Sequence, residues 1–155
     1  MATSLDAEAR RALATKHGMC EVERDWDGAL ATMVPEPFYV MHPWGLHISG
    51  REAIVEMWSR FFTADGAIYP FSSKGSVPGS HSMREYFGDD TYMQVTQSMA
   101  LFDDGSTQQK NQIVEFVFEG DLVLSETLWA SRFLVPYLDE VFDESFRALP
   151  GVVEL

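Results

Sequence analysis

The chain holds a single cysteine, Cys20, in 155 residues. No internal disulfide can form, and a reducing, cytoplasmic setting is the expectation. Cations are scarce as well: 11 Lys and Arg stand against 24 Asp and Glu, a net charge of −13 at pH 7. Nucleic-acid binding needs Lys and Arg to neutralise phosphates, and anionic membranes need basic clusters, so the composition argues against both partners. No apolar run approaches the roughly 18 residues of a membrane span. The opening Met-Ala-Thr-Ser-Leu-Asp-Ala-Glu has neither the basic nor the apolar region of a signal peptide. Phosphate loops and nucleophile elbows are missing too. The glycines at 75 and 79 lack a Lys-Ser/Thr ending, and Gly-x-Ser-x-Gly does not occur. Cys20 falls in a helical stretch with no His or Asn context, which speaks against a catalytic thiol.

What is present is a globular mixture, 46% hydrophobic and 23% charged. The length suits one domain spanning residues 1–155. A chain of this size buries about 70% of its unfolded surface, so no disulfide or structural metal is required. Helical spacing predicts a first helix over 4–23, with Ser4 or Asp6 as cap, and a second over 25–34 capped by Asp25. Pro35 and Pro37 stop the second helix. A β-rich run follows at 38–42, then a turn or short strand at 46–50 and a third helix at 52–62. Residues 67–80, rich in Gly, Ser and Pro, read as an edge strand with a long loop. Strand runs at 82–87, 91–102, 109–118 and 122–133 are joined by hairpin connections such as Gly88-Asp89-Asp90. A tail helix is expected over 136–149. Helices first and an antiparallel meander afterwards define an α+β chain, in which a curved sheet and its helices enclose a cone-shaped pocket.

Three stretches carry a family resemblance: Asp25-Trp26-Asp27-Gly28-Ala29-Leu30, Tyr39-Val40-Met41-His42-Pro43-Trp44-Gly45 and Ser49-Gly50-Arg51-Glu52-Ala53-Ile54. They resemble the NTF2-like superfamily, and within it the SnoaL-like polyketide cyclases and ketosteroid isomerases. The run from Gly120 to Trp129 is similar to the family's last strand. The resemblance implies an NTF2-like cone that homodimerises through its sheet. It also implies cofactor-independent acid–base chemistry (isomerisation, dehydration or cyclisation) on a hydrophobic oxygenated small molecule. A binding protein with the same cone and no chemistry is the alternative.

Four histidines are the candidates for proton transfer at neutral pH. By the resemblance, His42 takes the position of the isomerases' general-base Asp. His17 falls near their carbonyl-polarising Tyr, and His81 begins the strand on which dehydratase relatives carry a catalytic His. Each also has a bland reading, as a core or surface histidine. The Asp that partners the dehydratase His corresponds to Val22, and the cyclases' acid–base Asp to Ser131. Glu115 either faces the pocket as an acid or faces outward. Glu126 lies on the last strand. His42 and His47 have no recognised metal-ligand spacing, and no metal or cofactor is expected. The aromatics Trp26, Trp44, Trp58, Phe62, Tyr86 and Trp129 are expected to line a hydrophobic ligand pocket, or else to fill the core.

Overall fold

The computed structural model describes residues 5–62, 77–102, 104–132 and 134–155. Asp6 opens helix α1 (Ala7–Val22) by accepting the Ala9 amide, and Asp25 opens α2 (Trp26–Ala31) by accepting that of Gly28. Thr32 ends α2, and the chain becomes strand β1 (Met33–His42). β1 begins well before the predicted run because Pro35 and Pro37 tolerate extended backbone although they end a helix. β2 (Leu46–Ser49) and α3 (Arg51–Phe61) follow. Next come the four meander strands, β3 (Ser82–Phe87), β4 (Thr91–Leu101), β5 (Thr107–Glu119) and β6 (Leu122–Ala130). Of the edge strand and loop expected at 67–80, residues 67–76 lie outside the described residues. Residues 77–80 form a turn held by Val77 and Ser80.

These strands and β7 (Val152–Glu154) make one sheet, ordered β3-β4-β5-β6-β1-β2-β7. The sheet is mixed, not wholly antiparallel: β1 lies parallel to β6, with Tyr39 opposite Glu126 and Met41 opposite Leu128. Every other pairing is antiparallel. The parallel pair arises because β1 is reached from the helices and not from a hairpin turn. It closes the meander against the N-terminal half of the chain.

The tail is two short helices, α4 (Val135–Leu138) and α5 (Glu144–Arg147), where one long helix was expected. Asp143 accepts the Phe146 amide and restarts the helix as a new cap. Its carboxyl is held down to about 2, chiefly by the Ser145 hydroxyl and the Phe146 amide. β7 then pairs with β2. Gly151 makes this possible, since its φ of +89° is left-handed and a Cβ there would stand 2.0 Å from the Ser49 carbonyl.

The core includes Met57 and Trp58 of α3, Tyr39 and Met41 of β1, Phe116 of β5, and Leu138, Phe142 and Phe146 of the tail. Phe146 is fully buried beneath the Arg60 guanidinium, whereas Tyr86 on the edge strand is 53% exposed. Phe146→Ala is therefore expected to cost about 3–5 kcal/mol of unfolding free energy, and Tyr86→Ala no more than about 0.5. Urea denaturation checks this; equal midpoints for the two variants would show that the tail is not docked.

Candidate functional site

Helix α1 builds the site from an unusual stripe. Its buried positions are Arg10, Ala14, His17 and Glu21, spaced so that they share one face. Arg10 donates to the Gly88 and Asp89 carbonyls at the β3–β4 turn, tying the helix to the sheet. Farther along, His17 and Glu21 are pressed against β1 and β6.

His17 is wholly buried. Its Nδ1 lies 2.6 Å from the Thr32 Oγ1, and the Thr32 hydroxyl gives its one hydrogen to the Ala29 carbonyl at 2.5 Å. Thr32 thus meets the ring with a lone pair, and Nδ1 carries a hydrogen. The other nitrogen, Nε2, stands 2.8 Å from the Tyr39 hydroxyl, 3.2 Å from Glu21 Oε1 and 3.6 Å from Glu126 Oε2. The Tyr39 hydroxyl donates to Glu21 Oε1 at 2.8 Å. A single phenol thereby links a buried imidazole to a carboxylate on the cavity wall. Shifting one hydrogen on each side of Tyr39 moves a proton between His17 and Glu21 without moving a heavy atom.

Glu126 completes the group. Its Oε2 is buried and has no hydrogen-bond partner. Burial, and secondarily the nearby Glu21, hold its carboxyl well above the usual carboxylate range, which favours its neutral form. Burial also raises the Tyr39 phenol well above its ordinary value, with Glu21 and Glu126 adding to the effect, so Tyr39 remains a hydrogen-bond donor. His17, Glu21 and Glu126 each bring a ligand atom within 4.8 Å of the others. Such a set has the donor types a divalent cation takes. His17 and Glu21 are already engaged with Thr32 and Tyr39, whereas Glu126 Oε2 is not.

Glu21, Tyr39 and Glu126 open onto a cavity of about 340 Å³. Trp58, Phe62, Met57, Phe116 and Leu128 form its apolar wall, and Gln94 and Gln112 add two amides. This volume and composition suit a small organic molecule. A larger groove, about 730 Å³, is open and lined by surface charge, including Arg24, Asp25 and Arg51. It includes none of the buried titratable groups.

The structure gathers part of the expected site. Trp58 and Phe62 line the cavity, and His17 sits behind its polar wall without lining it. Trp26 stacks on Trp58 at 5.7 Å but lines the open groove. His42 stacks on Trp129 at 5.4 Å, on the opposite sheet face, because Tyr39 and Met41 take the inward positions of β1. His47 stacks on Phe38, and Trp44 donates its indole N–H to Asp139 and packs on Phe142. His81 is exposed just before β3, and Tyr86 is exposed on it. Glu115 belongs to the outward set with Thr127, and Ser131 lies past β6 near the Asn111 amide. Sequence reasoning missed Glu21, Tyr39, Gln94 and Gln112, and gave Glu126 no role. One signal was available: His17 and Glu21 stand four apart on a helix and so share a face. Val22, the position compared with the dehydratase Asp, is 41% exposed.

No family model and no curated protein matches the chain. Solved structures do. An NTF2-like protein from Burkholderia xenovorans LB400 is 10% identical, over 89% of this chain and 98% of that one, with a TM-score of 0.59. A protein of ketosteroid isomerase-like fold from Catenulispora acidiphila DSM 44928, in complex with trimethylamine, is 12% identical over 77% and 85%, with a TM-score of 0.51. RV0760c from Mycobacterium tuberculosis, in complex with estradiol-17β-hemisuccinate, is 14% identical over 81% and 95%, with a TM-score of 0.52. The helices laid on a curved mixed sheet thus have the NTF2-like fold.

Proposed function

We propose that the protein binds a hydrophobic carbonyl compound in the 340 Å³ cavity and transfers a proton at the carbon next to that carbonyl. The observation that carries this reading is the Glu126 carboxyl on the cavity wall beside Glu21 and Tyr39, with its Oε2 buried and unpartnered and its neutral form favoured by burial. The acid donates a hydrogen bond to the carbonyl oxygen, and the donation strengthens as that oxygen becomes an enolate. Glu21, which accepts the Tyr39 hydroxyl, takes the α-proton. Tyr39 and His17 hold Glu21 in place. Returning the proton to a different carbon completes an isomerisation. Like-folded proteins that hold estradiol-17β-hemisuccinate and trimethylamine support small-molecule binding by this architecture.

2-Tetralone in D₂O tests the chemistry, with α-hydrogen exchange followed by proton NMR. The protein is expected to accelerate exchange, Glu21→Gln to slow it about 10²-fold or more, and Glu126→Gln to slow it about tenfold, since the amide still donates. Undiminished exchange in both variants would overturn the assignment. Saturable binding without any exchange would leave a binding protein instead.

Glu126 also makes stability depend on pH. Its carboxyl titrates near about 4.3 in the unfolded chain and higher in the folded one. Its contribution is complete below the unfolded value and is lost as pH rises through the folded value. Glu126→Gln mimics the neutral acid. Its stability advantage over the parent protein is expected to grow from pH 4 to pH 8 in thermal melts; a constant difference would show that Glu126 titrates normally.

We also propose that the outward sheet face joins two copies of the chain. Val40, Val95, Ile113 and Trp129 stand on that face only half buried. Sedimentation analysis is expected to find a dimer that Ile113→Lys dissociates, and a monomeric parent protein would refute the proposal.

A further inference from the structure

The cavity is polar at a second place, away from Glu126. Along the sheet, Glu126 is opposite Phe116, and Phe116 is opposite Tyr92. Gln94 lies two residues beyond Tyr92, on the strand two removed from Glu126. Strand spacing and rise put the two Cα atoms roughly 12 Å apart in a flat sheet, and less in a curved one. Gln94 and Gln112 are the amides at this end of the cavity.

The direction of the Gln94 amide is set from outside the cavity. Arg11 on α1 donates Nε and Nη2 to the two oxygens of Glu85, at 2.8 and 3.0 Å. Hydrogen bonds from Arg11 and then Tyr92 keep the Glu85 carboxyl below its ordinary range, so it is a carboxylate and only accepts. The hydrogen of the Tyr92 hydroxyl is therefore committed to Glu85 Oε1. Tyr92 Oη has lone pairs alone to offer the next group, and Gln94 Nε2 donates to it at 2.8 Å. A flipped amide would set two acceptors against each other. The Gln94 nitrogen is thus pinned to Tyr92, and its Oε1 has no partner among the described residues.

We infer that Gln94 Oε1 is a selective acceptor for a hydroxyl on the ligand. The cavity then takes molecules with a carbonyl at one end and a hydrogen-bond donor at the other. The inference rests on the proton-transfer reading for the Glu126 end only; the Gln94 end is read independently of it. An ether oxygen at the same place meets an acceptor and is rejected, because a buried acceptor left unpaired loses its hydration. Tyr92 acts through Gln94 and is a positioning residue.

Calorimetric titration with 2-tetralone, 6-hydroxy-2-tetralone and 6-methoxy-2-tetralone tests the inference. The hydroxy compound is expected to bind about tenfold tighter than the parent ketone, and the methoxy compound no tighter. Gln94→Leu is expected to erase the preference for the hydroxyl. Tyr92→Phe frees the amide to turn and is expected to narrow the gap between hydroxy and methoxy compounds; a merely structural role would weaken all three ligands alike. Equal binding of the hydroxy and parent ketones, or a preference that survives Gln94→Leu, overturns the inference. α-Exchange of 2-tetralone without the preference removes this inference and leaves the proton transfer standing. The preference without exchange does the reverse. Failure of all three compounds to bind overturns both.

Discussion

Everything at this site depends on burying an imidazole. Placing His17 between α1 and the sheet costs free energy unless both ring nitrogens find partners. Thr32 and Tyr39 supply them, at 2.6 and 2.8 Å. Thr32 is the cap that ends α2, and Tyr39 stands on the strand that follows, so one short stretch of chain satisfies both sides of the ring. The same two contacts, together with those of Arg10 at the β3–β4 turn, fasten α1 in place. They also bring Glu21, one turn farther along, to the edge of the cavity.

The electrostatic character of the cavity follows from that placement. Two carboxyl groups near each other in an apolar enclosure cannot both be charged at low cost. The conflict is resolved by unequal surroundings. Glu21 accepts the Tyr39 hydroxyl, while Glu126 has no donor at Oε2 and burial favours its neutral form. Unequal carboxyls beside one another are the arrangement by which a single cavity presents both a base and an acid. The opposite end is governed by a charged pair at the surface. The Arg11–Glu85 pair passes its polarity inward through Tyr92 to Gln94. An exposed ion pair of this kind adds little stability; here its effect is to orient an amide.

The solved structures of like fold share 8–16% of their residues with this chain. Identity that low preserves the frame of helices and curved sheet. The residues on the inner wall are what distinguish one such cavity from another, and they have to be read directly. In this chain they are two carboxyl groups, a phenol and two amides set in an aromatic and aliphatic wall.

Much of the frame was legible in the chain itself. The caps Asp6 and Asp25, the alternating runs of the meander and their hairpin connections are local signals, and they appear as helices and strands near the expected places. Non-local features were hidden. The parallel β1–β6 pair, the docking of β7 on β2 and the Asp143 cap that divides the tail each depend on partners distant in sequence or on competing local bonds. The site was half hidden. His17, Trp58 and Phe62 could be named from their residue types and positions. Tyr39, in the same strand as His42, could not be preferred over it, because period-2 alternation does not say which set faces inward. α1 misled for a related reason: the stripe it buries holds Arg10, His17 and Glu21, and a helix is ordinarily recognised by apolar residues on its buried face. The sequence by itself determined the helices, most of the strands and the acidic, aromatic composition. Only the tertiary structure decided which polar side chains left water together, and a group's proton affinity is set by that shared burial.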